Sequence, residues 1–150
     1  MLIATDGGLK HNIGTFAFIF VIGDDNNILE GYNAETSLRN PMTSTREELL
    51  AELSAHYVLL GLTKIWGPPQ LIDIKFILDS KPAIDIRHGS EDEYIDPMRI
   101  MNNEMDVEYE IIRIEKLLVH QQIMYQWVKG HQDISKAANK KHATLNKLVD

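Results

Sequence analysis

Three apolar runs of β type, separated by turn residues, fill the first 33 positions before any helical spacing begins. That order constrains the fold more than any other feature of the chain. Met1 to Thr5 reads as a buried strand that ends in Asp6, and Gly7-Gly8 follows as a glycine pair able to turn tightly. Phe16 to Ile22 is a dense second run, Gly23 to Asn27 is turn chemistry, and Ile28 to Asn33 is a third, more polar strand. Short connections predict an antiparallel meander.

The period then changes. Ser44-Thr45-Arg46-Glu47 matches a capping box with Ser44 at the N-cap and Glu47 reaching back. Leu49, Leu53, Tyr57 and Leu60 follow at helical spacing, and Gly67-Pro68-Pro69 stops the helix. Leu71 to Leu78 is a fourth strand, which again ends in a carboxylate, Asp79. Ser80-Lys81-Pro82 opens a short helix through Ile86, and Gly89 to Glu93 is a loop. Asp96-Pro97 starts a longer helix to about Leu118, with Met101, Met105, Glu108 and Ile112 along one face and Ile111, Ile114 and Leu118 beside it. Ile123 to Val128 is the last strand. A meander followed by helical crossovers predicts an α/β fold, a mixed sheet with helices packed on it.

The 150 residues are enough for one domain, taken as 1–150, with an ordinary globular composition of 44% hydrophobic and 25% charged residues. The absence of cysteine excludes disulfides, thiolate metal sites and a catalytic thiol. No apolar run reaches the roughly 18 residues of a membrane span, and the start lacks the basic segment of a signal peptide. The reading is therefore of an intracellular chain with no membrane partner, monomeric as an isolated domain. The net charge of −7 argues against a protein that coats nucleic acid, yet it is uneven. Lys129 to Val149 holds five lysines and one acid, Asp133, whereas Asp85 to Glu115 holds ten acids against Arg87, Arg99 and Arg113. A basic segment beside an acidic body points to one localised contact with a polyanion.

In open α/β sheets, sites lie beyond the carboxyl ends of the parallel strands. Asp6 and Asp79 can meet there, and Glu48 or Glu52, four apart on one helix face, can add a third carboxylate. Such a cluster needs a counter-cation, and oxygen ligands favour Mg²⁺ or Mn²⁺ over zinc. Each residue also has a plainer role open to it: Asp6-Gly7 as a turn, Asp79-Ser80 as a helix cap, Glu48 as a complement to the helix dipole.

Thr5-Asp6-Gly7-Gly8, Arg46-Glu47-Glu48-Leu49, Leu78-Asp79-Ser80 and Trp127-Val128-Lys129-Gly130-His131 together resemble the successive signatures of the ribonuclease H family, in the family's order and over nearly the whole chain. The resemblance implies a ribonuclease H-like fold, a five-stranded mixed sheet of three antiparallel strands plus two added by crossover, flanked by helices. It implies metal-binding carboxylates at Asp6, Glu48 and Asp79, with Glu48 preferred to Glu52 by its place in Arg46-Glu47-Glu48-Leu49. For a fourth carboxylate, Asp133 and Asp150 are the candidates. Ala143 to Asp150 resembles the Ala-x-Leu-Asn-x-x-x-Asp ending of reverse-transcriptase-associated members, which selects Asp150.

The implied activity is hydrolysis of the RNA strand of an RNA–DNA hybrid by two Mg²⁺ or Mn²⁺ ions, with His131 moving protons or helping product leave. Gly8, Thr43, Ser44, Thr45 and Lys129 are the candidate contacts to the hybrid. The acidic stretch predicts weak affinity of the domain alone, with binding borrowed from an adjacent reverse transcriptase domain. On this reading the chain is a segment of a longer polyprotein, cut where its last helix is only beginning at Asp150. The alternative is a ribonuclease H-like binding or scaffold module whose site has decayed.

Overall fold

The computed structural model describes residues 1–23, 28–35, 43–66, 72–89, 104–118 and 121–150. Its strands are β1 (Leu2–Lys10), β2 (Ile13–Val21), β3 (Ile28–Glu35), β4 (Ile72–Leu78) and β5 (Gln121–Trp127). Its helices are α1 (Ser44–Ile65), α2 (Lys81–Gly89), α3 (Met105–Leu117) and α4 (Lys140–Val149). The strands form one sheet in the order β3-β2-β1-β4-β5. The first three are antiparallel neighbours; β4 runs parallel to β1, and β5 parallel to β4. This is the mixed five-stranded sheet that the sequence predicts.

Alternation along β1 divides the core into two layers. Ile3 packs with Phe20, Phe76, Ala55 and Leu59 on the side of α1. Ala4 packs with Ile19, Ile77, Leu145 and Val149 on the side of α4. Burying a side chain such as Phe76, which is fully enclosed, contributes about 1.5–3 kcal/mol. The α1 face against the sheet is Glu48, Ala51, Glu52, Ala55 and Leu59 rather than the predicted leucine–tyrosine stripe. Ala51 and Ala55 let the helix approach closely, and Tyr57 is left 48% exposed. His56 is buried in the same layer; it stacks on Phe76 at 4.5 Å and donates its Nδ1–H to the Glu52 carbonyl at 2.9 Å.

Four local readings are corrected. Gly7 and Gly8 do not end the first strand, which continues to Lys10 and turns at His11 and Asn12, both with positive φ (53° and 61°). Two left-handed residues make a tight hairpin turn, and asparagine tolerates that region. Gly7 serves close approach instead: a Cβ there would lie 2.2 Å from the Glu47 carbonyl carbon and 2.3 Å from the Glu48 nitrogen.

The N-cap of α1 is Thr43, not Ser44; its hydroxyl accepts from the Arg46 N–H at 3.0 Å. Glu47 does not reach back; it is fully buried, with its carboxylate against Gly14. In α3 the buried side is Val107, Ile111 and Ile114, with Leu118 following it; this takes in the expected Ile111, Ile114 and Leu118, while Met105, Glu108 and Ile112 are half-buried beside it. The proposed start at Asp96-Pro97, and Met101, lie outside the described residues. Finally, a ten-residue helix, α4, precedes Asp150, where the sequence reading has that helix only begin. Asn139 caps it by accepting from the His142 N–H at 3.1 Å, and Asp150 is its C-cap.

Candidate active site

The parallel register pairs Ala4 with Ile77. Extended by two positions it sets Asp6 across from Asp79, where pairing between β1 and β4 has ceased. Both aspartates are half-buried there. Glu48 joins them from the fifth residue of α1, because Gly7 lets the start of that helix rest on β1. One ligand oxygen from each of Asp6, Glu48 and Asp79 lies within 4.8 Å of the others. Three sequentially remote elements thus deliver one carboxylate each.

Burial and mutual repulsion shape their protonation. Burial first, then the charges of Asp6 and Asp79, pushes the Glu48 carboxyl up to about 9, with Glu52 adding to the effect. Asp6 is pushed up to about 6, first by burial and then by Asp79 and Asp150. The Gly7 N–H opposes both shifts, and His131 opposes that of Asp6. Glu48 Oε2 is buried without a hydrogen-bond partner. Acceptor-only oxygens crowded in this way suit a hard divalent cation, which supplies the charge the protein itself withholds. The donor set fits Mg²⁺ or Mn²⁺: it is all oxygen, with no thiolate and no histidine in the group.

Asp79 is held on three sides. Asn146, 3% exposed, donates its Nδ2–H to Asp79 Oδ2 at 3.1 Å. The exposed Trp127 donates its indole N–H to the Asp79 carbonyl at 2.9 Å. At Gly130 a Cβ would sit 2.4 Å from Asp79 Oδ2, so only glycine leaves the carboxylate room. Asn146 was not singled out from the sequence as a site residue. Its signal is its position four before Asp150, on the same face of α4.

His131 is in the left-handed region (φ 49°), and its Nδ1 lies 2.8 Å from Asp150 Oδ2. Asp150 does not join the mutual 4.8 Å set, but its charge reaches Asp6. Both aspartates line a groove of about 480 Å³ that runs over Gly8, Thr15 and Ala17 to Tyr32. Asp133 is engaged elsewhere, accepting from the Ser135 N–H and hydroxyl at 2.9 and 2.8 Å. Glu52 is fully buried one turn beyond Glu48. Thr43 is occupied by its cap and by donating to Glu104 Oε1 at 2.6 Å. Ser44 is exposed, Thr45 half-buried, and Lys129 exposed beside His131. In the acidic stretch, Asp106 is bound bidentately by Arg46 at 2.8 and 2.9 Å, and Glu110 pairs with Arg113 at 2.6 Å.

No family model and no curated protein matches the chain. Among solved structures it is similar to the RNase H1 of the halophilic archaeon Halobacterium salinarum NRC-1, with 20% identity over 84% of each chain and a TM-score of 0.53. It is similar to LC11-RNase H1, isolated from compost and solved with an RNA/DNA hybrid: 15% identity, 99% of this chain, 92% of that one, TM-score 0.61. A third is the N-terminal RNase H domain of a Mycobacterium tuberculosis protein, with 16% identity, 98% and 95% coverage and a TM-score of 0.56. The chain has a ribonuclease H-like fold. Among the described residues no helix is long and apolar enough to cross a membrane.

Proposed function

We propose that this chain hydrolyses the RNA strand of RNA–DNA hybrids. The observation that carries the reading is the convergence of Asp6, Glu48 and Asp79 within 4.8 Å, from the middle of β1, the start of α1 and the end of β4 in a ribonuclease H-like fold, beside an open groove. Asp6, Glu48 and Asp79 would hold two Mg²⁺ or Mn²⁺ ions, with Asp150 adding a fourth carboxylate from the Asp6 side. Such ions supply an activated water and neutralise the leaving 3′-oxygen.

The protein's own residues do the rest. Asn146 orients the Asp79 carboxylate, Trp127 ties the Asp79 backbone carbonyl, and Gly130 leaves the carboxylate room. His131, held by Asp150 at 2.8 Å, stands at the rim of the site, where its ring can take or give a proton as product leaves. The Gly8 backbone, the hydroxyls of Ser44 and Thr45, and Lys129 offer contacts to the strands; the Thr43 hydroxyl is available only through its existing bonds. Selection of hybrid over duplex RNA would rest on contact with 2′-hydroxyls of one strand alone. The acidic stretch from Asp85 to Glu115 would repel phosphates, so hybrid affinity would be borrowed from a neighbouring reverse transcriptase domain, inside the cell where hybrids form.

The test is cleavage of end-labelled hybrid, duplex RNA and single-stranded RNA in Mg²⁺ or Mn²⁺. Cutting of the hybrid alone, lost in Asp6→Asn, is the expected result. Equal cutting of duplex RNA removes the hybrid assignment, and no cutting of any substrate favours the binding-module alternative.

A further inference from the structure

His142 is a buried titratable group that the chemistry at the carboxylates does not use. It lies on the inner face of α4, one turn before Asn146, with Leu145 and Val149 further along the same face. The residue is 6% exposed, and its Nδ1 is buried with no hydrogen-bond partner among the described residues. His56, also buried, differs: its Nδ1–H donates to the Glu52 carbonyl at 2.9 Å, and its Nε2 meets the Tyr125 hydroxyl at 3.3 Å.

With Nδ1 bare, the neutral His142 ring carries its hydrogen on Nε2, and a proton added at Nδ1 would find no acceptor. Its surroundings oppose the added charge as well. Burial holds the His142 pKa below its usual value, and Lys75 and then Lys141 lower it further. The first turn of a helix is also its positive end. The elements packed against α4 are β1, β2, β4 and the turn at Ile134–Lys136. Of these only β4 brings a charge to the ring, that of Lys75, and α4 itself brings Lys141; no carboxylate bears on it among the described residues. Leaving the sheet relieves the ring of both the burial and Lys75.

The same helix carries groups that complete the site. Asn146 donates to Asp79 at 3.1 Å, and Asp150 ends the helix with Oδ2 on His131 at 2.8 Å. We propose that α4 is an acid-released latch: a proton taken up at His142 lifts the helix from the sheet and draws Asn146 off Asp79. The docked ring holds a proton less firmly than the free ring, so acid favours release. Release begins as pH falls through the ordinary histidine value of about 6.5, and grows by up to about tenfold per pH unit until the docked ring is itself protonated. The latch acts on the site proposed above, but its test reads the helix and not the activity, so either can fail alone.

Backbone hydrogen exchange, read by mass spectrometry on the whole protein in EDTA between about pH 8 and pH 5 and corrected for the intrinsic rate, compares the opening of α4 with that of β1 and β4. In the parent, opening of α4 should rise below about pH 6.5 while β1 and β4 keep their protection. His142→Leu, which fills the same apolar face and does not titrate, should show no such rise. It keeps His131 and Asp150, so their titration is common to both proteins. Equal opening of α4 at both ends of the range in the parent overturns the latch, and so does the same rise in His142→Leu. A rise shared by β1 and β4 is unfolding of the whole chain, which also overturns it. Should His142→Leu not fold, Lys75→Met takes its place: with the facing cation gone the rise should shrink, and an undiminished rise overturns the latch.

Discussion

Glu48→Gln tests whether the carboxylates are held together against their own repulsion. Glu48 is 8% exposed, and its carboxyl is pushed up to about 9 from 4.5. Between those two values the folded chain keeps a proton that the unfolded chain has released. The folded state then binds more protons, so stability falls as pH rises, by at most about 1.4 kcal/mol per pH unit. At a pH of about 7.5, three units above the unfolded value, the penalty reaches an upper bound of about 4 kcal/mol. Glutamine keeps the shape and does not titrate, at the cost of about 1 kcal/mol for a buried amide left short of partners.

Metal-free Glu48→Gln should therefore be more stable than the parent by about 2–3 kcal/mol near pH 7.5 and no more stable near pH 4.5. Urea unfolding in EDTA at several pH values reads the difference. A stability gap that does not widen with pH, or a variant less stable at neutral pH, refutes the electrostatic argument. Mg²⁺ should narrow the gap by stabilising the parent, since an ion bound only by the folded state adds to its stability.

Gly7→Ala places a Cβ 2.2 Å from the Glu47 backbone. The first turn of α1 must withdraw, at about 1–3 kcal/mol, and take Glu48 out of the cluster. Urea unfolding and Mn²⁺ titration should both register it; unchanged values in both would show that the close contact is not needed. Thr43→Ala removes the α1 cap and the donor to buried Glu104. A loss of about 1–3 kcal/mol is expected, and a loss below about 0.5 kcal/mol would show that Ser44 takes over the cap.

Much of the fold was legible because the chain states its periods clearly. Apolar runs marked all five strands, and Gly67-Pro68-Pro69 and Asp79-Ser80 marked the breaks. The errors share a physical origin: a local rule was read where a tertiary contact decided. Gly7-Gly8 looks like a turn, but Gly7 is set by the approach of α1, and the turn fell to His11-Asn12, which lacks glycine. Ser44 and Thr43 are both good caps, and only the second can also reach Glu104. Asp6, Glu48 and Asp79 were legible as carboxylates that close apolar runs or sit near the start of a helix, although β1 continues past Asp6 to Lys10. Asn146 was not, because a buried asparagine on a short polar helix has no meaning until the helix is docked against Asp79.

The activity proposed above requires that Asp6, Glu48 and Asp79 form a cation site. Calorimetric titration of the protein with Mn²⁺ at neutral pH tests it without depending on any substrate. Saturable binding that is lost in Asp6→Asn and Asp79→Asn, with both variants still folded, is the predicted result. No binding by the unsubstituted protein at millimolar Mn²⁺, or binding that survives both substitutions, would contradict it.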